Sequence, residues 1–268
     1  MPKKVFVYPY TAWIIIFTAI PLLLVVYYSF RTGAGESAAA NYQQAFEPLF
    51  LNVLWRSVRL AVKCTVICFV LGYPAGYILA GKEFDTRTFI IFLFLVPMWM
   101  NFLLRTYAWL TILENNGIIN SLLDLFGFER VNLIYTEASV LLGMVYSFIP
   151  FMILPIYTVL KKMDTRVIEA AKDLGANPLK VFLRVVFPLS LPGVVSGVTM
   201  VFMPAVSTFV ISDLLGGGRV FLIGNVIERE FLTASNWGFA SALSVVLMVV
   251  VLLSIGLFTL IDRNSREV

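Results

Sequence analysis

Histidine is absent from this 268-residue chain, and cysteine occurs only twice. The lack of histidine excludes Ser-His and Cys-His catalysis and metal sites built on imidazole. The two cysteines, Cys64 and Cys68, lie four residues apart in an apolar run, a spacing that places them on one helix face. Two thiols alone do not make a zinc site, so we interpret the pair as packing residues. We expect no catalytic residues, no metal site and no cofactor.

Charge is also scarce. Charged residues make up 13% of the chain and hydrophobic residues 60%, with a mean hydropathy of +0.90. A soluble domain carries about 25% charged residues, so this chain has too little charge to cover a water-facing surface. The composition therefore predicts a protein that lies in a lipid bilayer. The net charge of +4 does not indicate a nucleic-acid partner here, because the position of each charge matters more than the sum.

Six long apolar runs predict six transmembrane helices, since about 20 apolar residues cross the hydrocarbon core. The predicted spans are approximately 8–30, 57–80, 88–113, 138–160, 188–212 and 236–261. The chain is thus predicted to be all-α, polytopic and a single transmembrane domain over 1–268. Prolines within the spans favour helices bundled around a cavity. The pairs Gly72/Gly76 and Gly193/Gly197 predict close approach between helices.

The distribution of lysine and arginine predicts the orientation. Twelve of the 20 basic residues lie on the side that holds both ends of the chain and the loops 82–87 and 161–184. Six lie on the other side, and Lys63 and Arg105 fall within spans. Because basic residues concentrate in cytoplasmic loops, we expect both termini in the cytoplasm. Lys63 and Arg105 are expected to have structural roles, with partners that the sequence does not identify.

The loop that follows the fourth span contains signals for a helical hairpin over 161–187. Asp164 or Thr165 can cap a first helix, and Gly175 can end it in the left-handed conformation. Asn177 can cap a second helix with Pro178 at its first position. An amphipathic pair resting on the membrane surface would also explain this pattern.

The residues of the hairpin resemble a known motif. Glu169, Ala170 and Ala171, then Gly175 after three residues, then Pro188 at the end of Val185-Val186-Phe187-Pro188, resemble the EAA loop. That loop is found in the inner-membrane permease subunits of ABC importers. Val185 and Phe187 stand where the family pattern has Ile and Leu. The resemblance implies that Glu169, Ala170, Ala171, Gly175 and Pro188 couple the permease to an ATPase.

A second resemblance covers most of the chain and concerns the branch of permeases that serves spermidine and putrescine. It rests on Arg105-Thr106-Tyr107-Ala108-Trp109, Asn116-Gly117-Ile118-Ile119-Asn120, Ser212-Asp213-Leu214-Leu215-Gly216-Gly217, Leu222-Ile223-Gly224-Asn225 and Asn236-Trp237. It implies the type I ABC importer permease (MetI-like) fold in a bacterial cytoplasmic (inner) membrane. The implied partners are a second homologous permease, two ABC ATPase subunits, an extracytoplasmic binding protein and a small polycationic substrate.

Carboxylates and aromatic rings are the groups that recognise ammonium chains. The candidates for the substrate pathway are Trp99, Tyr107, Trp109, Glu114 and Asp213. Aromatic belts at the membrane surface and ordinary packing are the commoner reasons for such aromatic residues.

Other functions stay open at this point. A permease for ferric iron or sulfate would carry the same EAA loop. An autonomous channel, an ion-coupled carrier and a membrane scaffold are alternatives from other classes. The chain contains no G-x-x-x-x-G-K-[ST] sequence, so an importer built on it needs an ATPase on a separate subunit.

Overall fold

The computed structural model describes residues 7–31, 39–81, 96 and 98–266, and every regular element in these residues is helical. The helices are α1 (Val7–Ile14), α2 (Ile20–Ser29), α3 (Ala40–Ala45), α4 (Pro48–Ala80), α5 (Phe102–Leu113), α6 (Ile118–Leu125), α7 (Glu137–Lys162), α8 (Thr165–Asp173), α9 (Pro178–Val181), α10 (Phe187–Ser207), α11 (Val210–Gly216), α12 (Ile223–Leu232) and α13 (Trp237–Arg266).

Two π-helical turns, Ile15–Ala19 and Phe182–Val186, connect α1 to α2 and α9 to α10. Each turn precedes a proline near the start of the next helix, Pro21 and Pro188. Proline cannot donate a backbone hydrogen bond, and its ring clashes with the carbonyl four residues earlier. A wider turn relieves that clash while the chain stays helical.

The centre of the molecule is formed by α4, α7 and α10, which pack against one another. Gly72 and Gly76 of α4 face α7, where added Cβ atoms would lie 2.9 Å from Met152 Cγ and 3.1 Å from Ile156 Cγ2. Gly193 and Gly197 of α10 face the same helix from another side, where added Cβ atoms would lie within 3.1 Å of Pro155, Val159 and Met152. The prediction of close helix approach at both glycine pairs is confirmed.

Five helical segments of the described residues are long and apolar enough to cross a membrane. They are Pro9–Ser29, Pro48–Ala80, Glu137–Lys162, Pro178–Ser207 and Trp237–Leu260. The second begins earlier than the predicted 57, because Pro48 starts the helix and the basic residues 56, 59 and 63 do not interrupt it.

The predicted third span, 88–113, lies partly outside the described residues. Within them the chain leaves the helical conformation at Asn101, whose side chain caps α5 by accepting hydrogen bonds from the amides of Leu103 and Leu104. A helix cap of this kind begins a new helix, so α5 starts at Phe102.

The segment Pro178–Ser207 is long and apolar enough to cross a membrane, but its helix ends before the end of the predicted fifth span, 188–212. Helix α10 ends at Ser207, Thr208 is extended, and α11 begins at Val210. The Asn225 side chain donates to the Phe209 carbonyl at 3.0 Å and accepts from the Ser212 hydroxyl at 2.6 Å. The break is therefore stabilised by polar contacts with α12, which satisfy backbone groups that a helix would otherwise use.

Candidate functional site

The hairpin has the predicted helices and caps. The Asp164 side chain accepts a hydrogen bond from the Arg166 amide at 2.9 Å and begins α8. The Asn177 side chain accepts from the Lys180 amide at 2.8 Å, and Pro178 follows it as the first residue of α9. Of Asp164 and Thr165, the two residues predicted to cap the first helix, Asp164 is the cap.

The turn between the two helices depends on Gly175, which has a φ of +77°. The Gly175 amide donates to the Lys172 carbonyl at 2.9 Å, and the Ala176 amide donates to the Ala171 carbonyl at 3.2 Å. This pair of bonds is a Schellman motif, which ends a helix on a left-handed residue. An L-residue in that conformation costs about 1–2 kcal/mol, so glycine has a defined local role here.

One face of the hairpin packs against the helix bundle, and the other face is exposed. Ile168, Ala171 and Ala176 pack against the central core. Glu169 and Ala170 are exposed on α8. The large apolar side chains that the hairpin exposes are Val167, Leu174, Leu179 and Leu183, with Leu174 89% exposed. Val167 and Leu174 lie outside the segments that are long and apolar enough to cross a membrane, so their exposure is typical of a surface that contacts another molecule.

A groove of about 580 Å³ lies between α8 and the ends of α4 and α7. Its lining includes Tyr77, Ile78, Met163, Ile168, Glu169 and Lys172. Glu169 therefore lies at the edge of the groove, next to a basic and several apolar side chains. The arrangement can receive a protein segment that carries both a basic and an apolar side chain.

An aromatic cluster joins the second arm of the hairpin to α4. The Phe182 ring lies 5.8 Å from the Tyr73 ring and 5.5 Å from the Tyr77 ring, both edge-on. The Ser190 hydroxyl donates to the Phe187 carbonyl and lies 2.8 Å from the Tyr73 hydroxyl. Because the serine proton is already used, Tyr73 is the donor in the second bond. The hairpin therefore contacts α4 through packed aromatic rings, and the start of α10 contacts α4 through a buried hydrogen bond.

The aromatic residues proposed for the substrate pathway have different environments. Trp99 is 76% exposed and Tyr107 is 51% exposed. Trp109 packs edge-on against Tyr146 at 5.2 Å. The buried Arg105 guanidinium lies 5.8 Å from the Tyr146 ring centre, so Trp109 belongs to a packed cluster around this cation.

The two acidic pathway candidates lie in different clefts. Glu114 caps the C-terminal end of α5 and lines a groove with Asn116 and Ile118. Asp213 is exposed and lines a cleft of about 340 Å³ between α11 and α12. The structure therefore does not bring Glu114 and Asp213 into one cleft.

Sequence reasoning missed Glu228, which shares the cleft with Asp213. Burial raises the pKa of the Glu228 carboxyl above its ordinary value, and the negative charge of Asp213 raises it further. Asn225, Glu228, Arg229 and Leu232 all line the cleft. Their spacing of three and four residues is that of one helix face, and this was a signal available in the sequence.

Lys63 has a partner that the sequence did not identify. Its ammonium nitrogen lies 2.7 Å from Glu137 Oε1, and Arg59 Nη2 lies 3.3 Å from Glu137 Oε2. The ion pairs connect α4 to the first residue of α7.

Among the described residues, Cys64 and Cys68 are buried free thiols, and no group of three or more His, Cys, Asp or Glu could hold a metal ion.

The chain was compared with known proteins. Residues 72–267 match the family described as the binding-protein-dependent transport system inner membrane component. The chain is 40% identical over 252 residues to the spermidine/putrescine transport system permease protein PotB of Haemophilus influenzae, covering 91% of this chain and 88% of that one. It is 37% identical over 246 residues to the protein of the same name in Escherichia coli, covering 89% and 90%.

A solved structure shares the fold. A bacterial ABC transporter involved in import of the acidic polysaccharide alginate has a TM-score of 0.82 and 15% identity, covering 98% of this chain and 94% of that chain. The family match extends over the end of α4, all of α7 and α10, the hairpin and the Asp213 cleft. The chain is therefore a multi-pass membrane protein that belongs to the binding-protein-dependent transport system inner membrane component family.

Proposed function

We propose that this chain is the permease subunit of an ATP-driven ABC importer for polyamines and forms half of its transmembrane pathway. The observation that carries the proposal is the 40% identity to a spermidine/putrescine permease over 91% of this chain. In this function the chain does no covalent chemistry. It changes the side of the membrane from which the substrate is accessible, and ATP is hydrolysed on separate subunits.

The hairpin is the proposed contact with the ATPase. Glu169 and Ala170 are exposed beside the groove, Gly175 sets the turn, and Pro188 follows the π-helical turn that leads into α10. A rigid, capped helix transmits force better than a flexible loop. The contacts of Phe182 and Tyr73 extend that rigidity to the spans.

The topology proposed with this function has six spans, with both termini and the hairpin in the cytoplasm. The remaining proposed partners are a second homologous permease and an extracytoplasmic binding protein. The Asp213 cleft then lies at the opposite ends of the helices. The Tyr135 amide donates to the Leu215 carbonyl at 3.0 Å, which holds α11 beside the chain just before α7.

Asp213 and Glu228 are the proposed carboxylates for an ammonium group that enters from outside. A carboxylate pair of like charge gains most from a cation, because the cation removes their mutual repulsion. Trp99 and Tyr107 stay pathway proposals and are exposed. Glu114 and Trp109 stay proposals too, although Glu114 lines a different groove and Trp109 packs against Tyr146. A related importer for sulfate or ferric iron would share the hairpin. The cleft contains two carboxylates and one guanidinium, that of Arg229, which favours a cation over sulfate.

The coupling role can be tested with Glu169→Ala and Gly175→Ala in the assembled importer. We expect both variants to insert in the membrane but to lose ATPase subunits on purification and to lose most substrate uptake. Gly175→Asn is the matched control, since asparagine adopts the left-handed conformation more readily and should retain more coupling. Full uptake by the Glu169 variant would remove Glu169 from the coupling contact. Uptake by this chain alone without ATP would reject the importer function in favour of a channel or carrier.

The substrate can be tested with Asp213→Asn. We expect the polyamine concentration that half-stimulates the ATPase of the complete complex to rise about tenfold, since a charge-assisted hydrogen bond contributes about 1.5–3 kcal/mol. Glu230→Gln removes a carboxylate that does not line the cleft and serves as the control. Unchanged stimulation by the Asp213 variant would remove this residue from the pathway.

A further inference from the structure

Helix α6 and the turn after it expose a continuous set of large apolar side chains. Ile118, Leu122 and Leu125 follow one another at spacings of four and three residues and therefore share a helix face. Leu125 is 77% exposed and Phe126 is 72% exposed, and Phe128 continues the set. We call these five side chains the apolar stripe.

The opposite side of α6 is held by the protein, so the stripe cannot rotate inward. The buried Asn120 side chain donates to the Val131 carbonyl at 3.1 Å and accepts from the Val131 amide at 3.0 Å. Ile119 packs against the central core. The outward direction of the stripe is thus imposed by contacts on the other side of the helix.

The end of α6 adds the two phenylalanines to the stripe. Gly127 has a φ of +76°, its amide donates to the Asp124 carbonyl at 3.1 Å, and the Phe128 amide donates to the Leu123 carbonyl at 2.9 Å. These bonds form a second Schellman motif. The turn keeps Phe126 and Phe128 close to the end of the helix instead of releasing them into a loop.

The connections of α6 keep it near the membrane boundary. Only residues 114–117 separate it from α5, and four extended residues reach at most about 14 Å. Farther along the chain, α7 begins at Glu137 and is long enough to cross the membrane. Helix α6 therefore lies near the end of α7 opposite the hairpin, a separation of about 39 Å for a 26-residue helix.

A polar rim accompanies the stripe. Arg130 donates to the Asp124 carboxylate at 2.7 and 2.9 Å and to the Asn116 side chain at 3.0 Å. These three side chains are exposed and can stay in water. An apolar face bounded by charged and polar groups is typical of a helix that lies in the plane of the membrane surface.

We propose that α6 is an interfacial helix whose apolar stripe inserts into the outer leaflet of the bilayer. This inference rests on the proposed topology, which places this end of the spans outside the cytoplasm. Lipid is the occupant that the structure favours, because the four-residue connection to α5 and the contacts of Asn120 with Val131 hold the helix near the ends of the spans, where the outer leaflet lies in the proposed topology. The insertion anchors the loop between α5 and α7 next to the substrate entrance.

The test uses Leu125→Cys in the complete importer reconstituted in liposomes, with a nitroxide attached to the new thiol. Glu129→Cys, exposed in the following loop, is the matched control. The parent chain should take up no label, because Cys64 and Cys68 are fully buried. We measure nitroxide collisions with oxygen, which concentrates in lipid, and with a water-soluble nickel chelate.

We expect oxygen collisions to exceed nickel collisions several-fold at position 125 and the reverse at position 129. Nickel collisions that dominate at 125 would place the stripe in water and overturn the proposal. Low collision rates with both reagents would show that the second permease or the binding protein covers the stripe, and would also overturn it. Polyamine-stimulated ATPase activity of the same labelled complexes tests the proposed function separately, so the two failures are distinguishable.

Discussion

Three basic residues near the hydrocarbon region, Arg59, Lys63 and Arg105, have specific neighbours in this chain. Lys63 and Arg59 share the Glu137 carboxylate, and the Arg105 guanidinium lies 5.7 Å from the Phe102 ring and 5.8 Å from the Tyr146 ring. Such contacts lower the cost of placing charge in or beside a membrane. Arg105 thus packs against aromatic rings inside the protein, in agreement with the structural role expected from its position in the sequence.

The Asp213–Glu228 pair leads to a pH prediction. Since the pKa of Glu228 is raised, its carboxyl gains a proton at a higher pH than an ordinary glutamate, and cation binding should weaken from that pH downward. In Asp213→Asn the neighbouring charge is gone, so the pKa of Glu228 should fall. The pH midpoint of the remaining polyamine-stimulated ATPase activity should then move to lower pH. A midpoint that does not move, measured beside Glu230→Gln as control, would contradict this interaction.

At the scale of elements, the arrangement of α4, α7 and α10 depends on glycines that have no room for a methyl group. An added Cβ at Gly193 would lie 3.0 Å from the Pro155 carbonyl oxygen and 3.1 Å from Val159 Cβ. Backbone and β-branched atoms cannot move aside as a flexible side chain can. Helix α7 is contacted in this way from both α4 and α10, so its position is the most constrained of the three.

We predict that Gly193→Ala lowers the free energy of unfolding by about 1–3 kcal/mol, the usual range for an overpacked core. Gly256→Ala is the matched control, because nothing lies within 4 Å of an added Cβ there. It should be neutral or stabilise α13 by up to about 1 kcal/mol through helix propensity. Thermal unfolding of the purified protein in one detergent compares the two, and equal effects would contradict the packing argument.

At the scale of the whole molecule, the hairpin and the Asp213 cleft are connected through the core helices. Phe182 joins the hairpin to Tyr73 and Tyr77 of α4, and α10 runs from Phe187 to the break at Thr208. The break is tied to α12, which carries Glu228. A displacement of the hairpin can therefore reach the cleft through rigid helices and their contacts.

We predict that Phe182→Ala uncouples the proposed importer. ATPase activity should persist, while the amount of polyamine transported per ATP falls several-fold, because the contact between the hairpin and α4 is lost. Leu189→Ala is the matched control, since Leu189 lies on α10 beyond the hairpin and is 48% exposed. The measurement is uptake and phosphate release in the same liposomes. If the amount of polyamine transported per ATP is unchanged in the Phe182 variant, the contacts of Phe182 with α4 are not needed for coupling.

The features that the sequence predicted well are those determined by local interactions. Asp164, Gly175 and Asn177 act on backbone groups a few residues away, so the hairpin can be derived from its caps alone. Most of the apolar runs were identified for the same reason, since a hydrophobic helix is a property of consecutive residues. Their ends were less well predicted, as the start of α4 at Pro48 illustrates.

Other features were decided only by the tertiary structure. The pairing of Lys63 with Glu137, the meeting of Asp213 with Glu228 and the helix break at Thr208 depend on residues distant in the chain. In this protein the sequence alone determined a helical membrane protein with a capped hairpin. The fold decided which charges share a cleft and which helix is interrupted, because both depend on contacts that form only when the helices pack together.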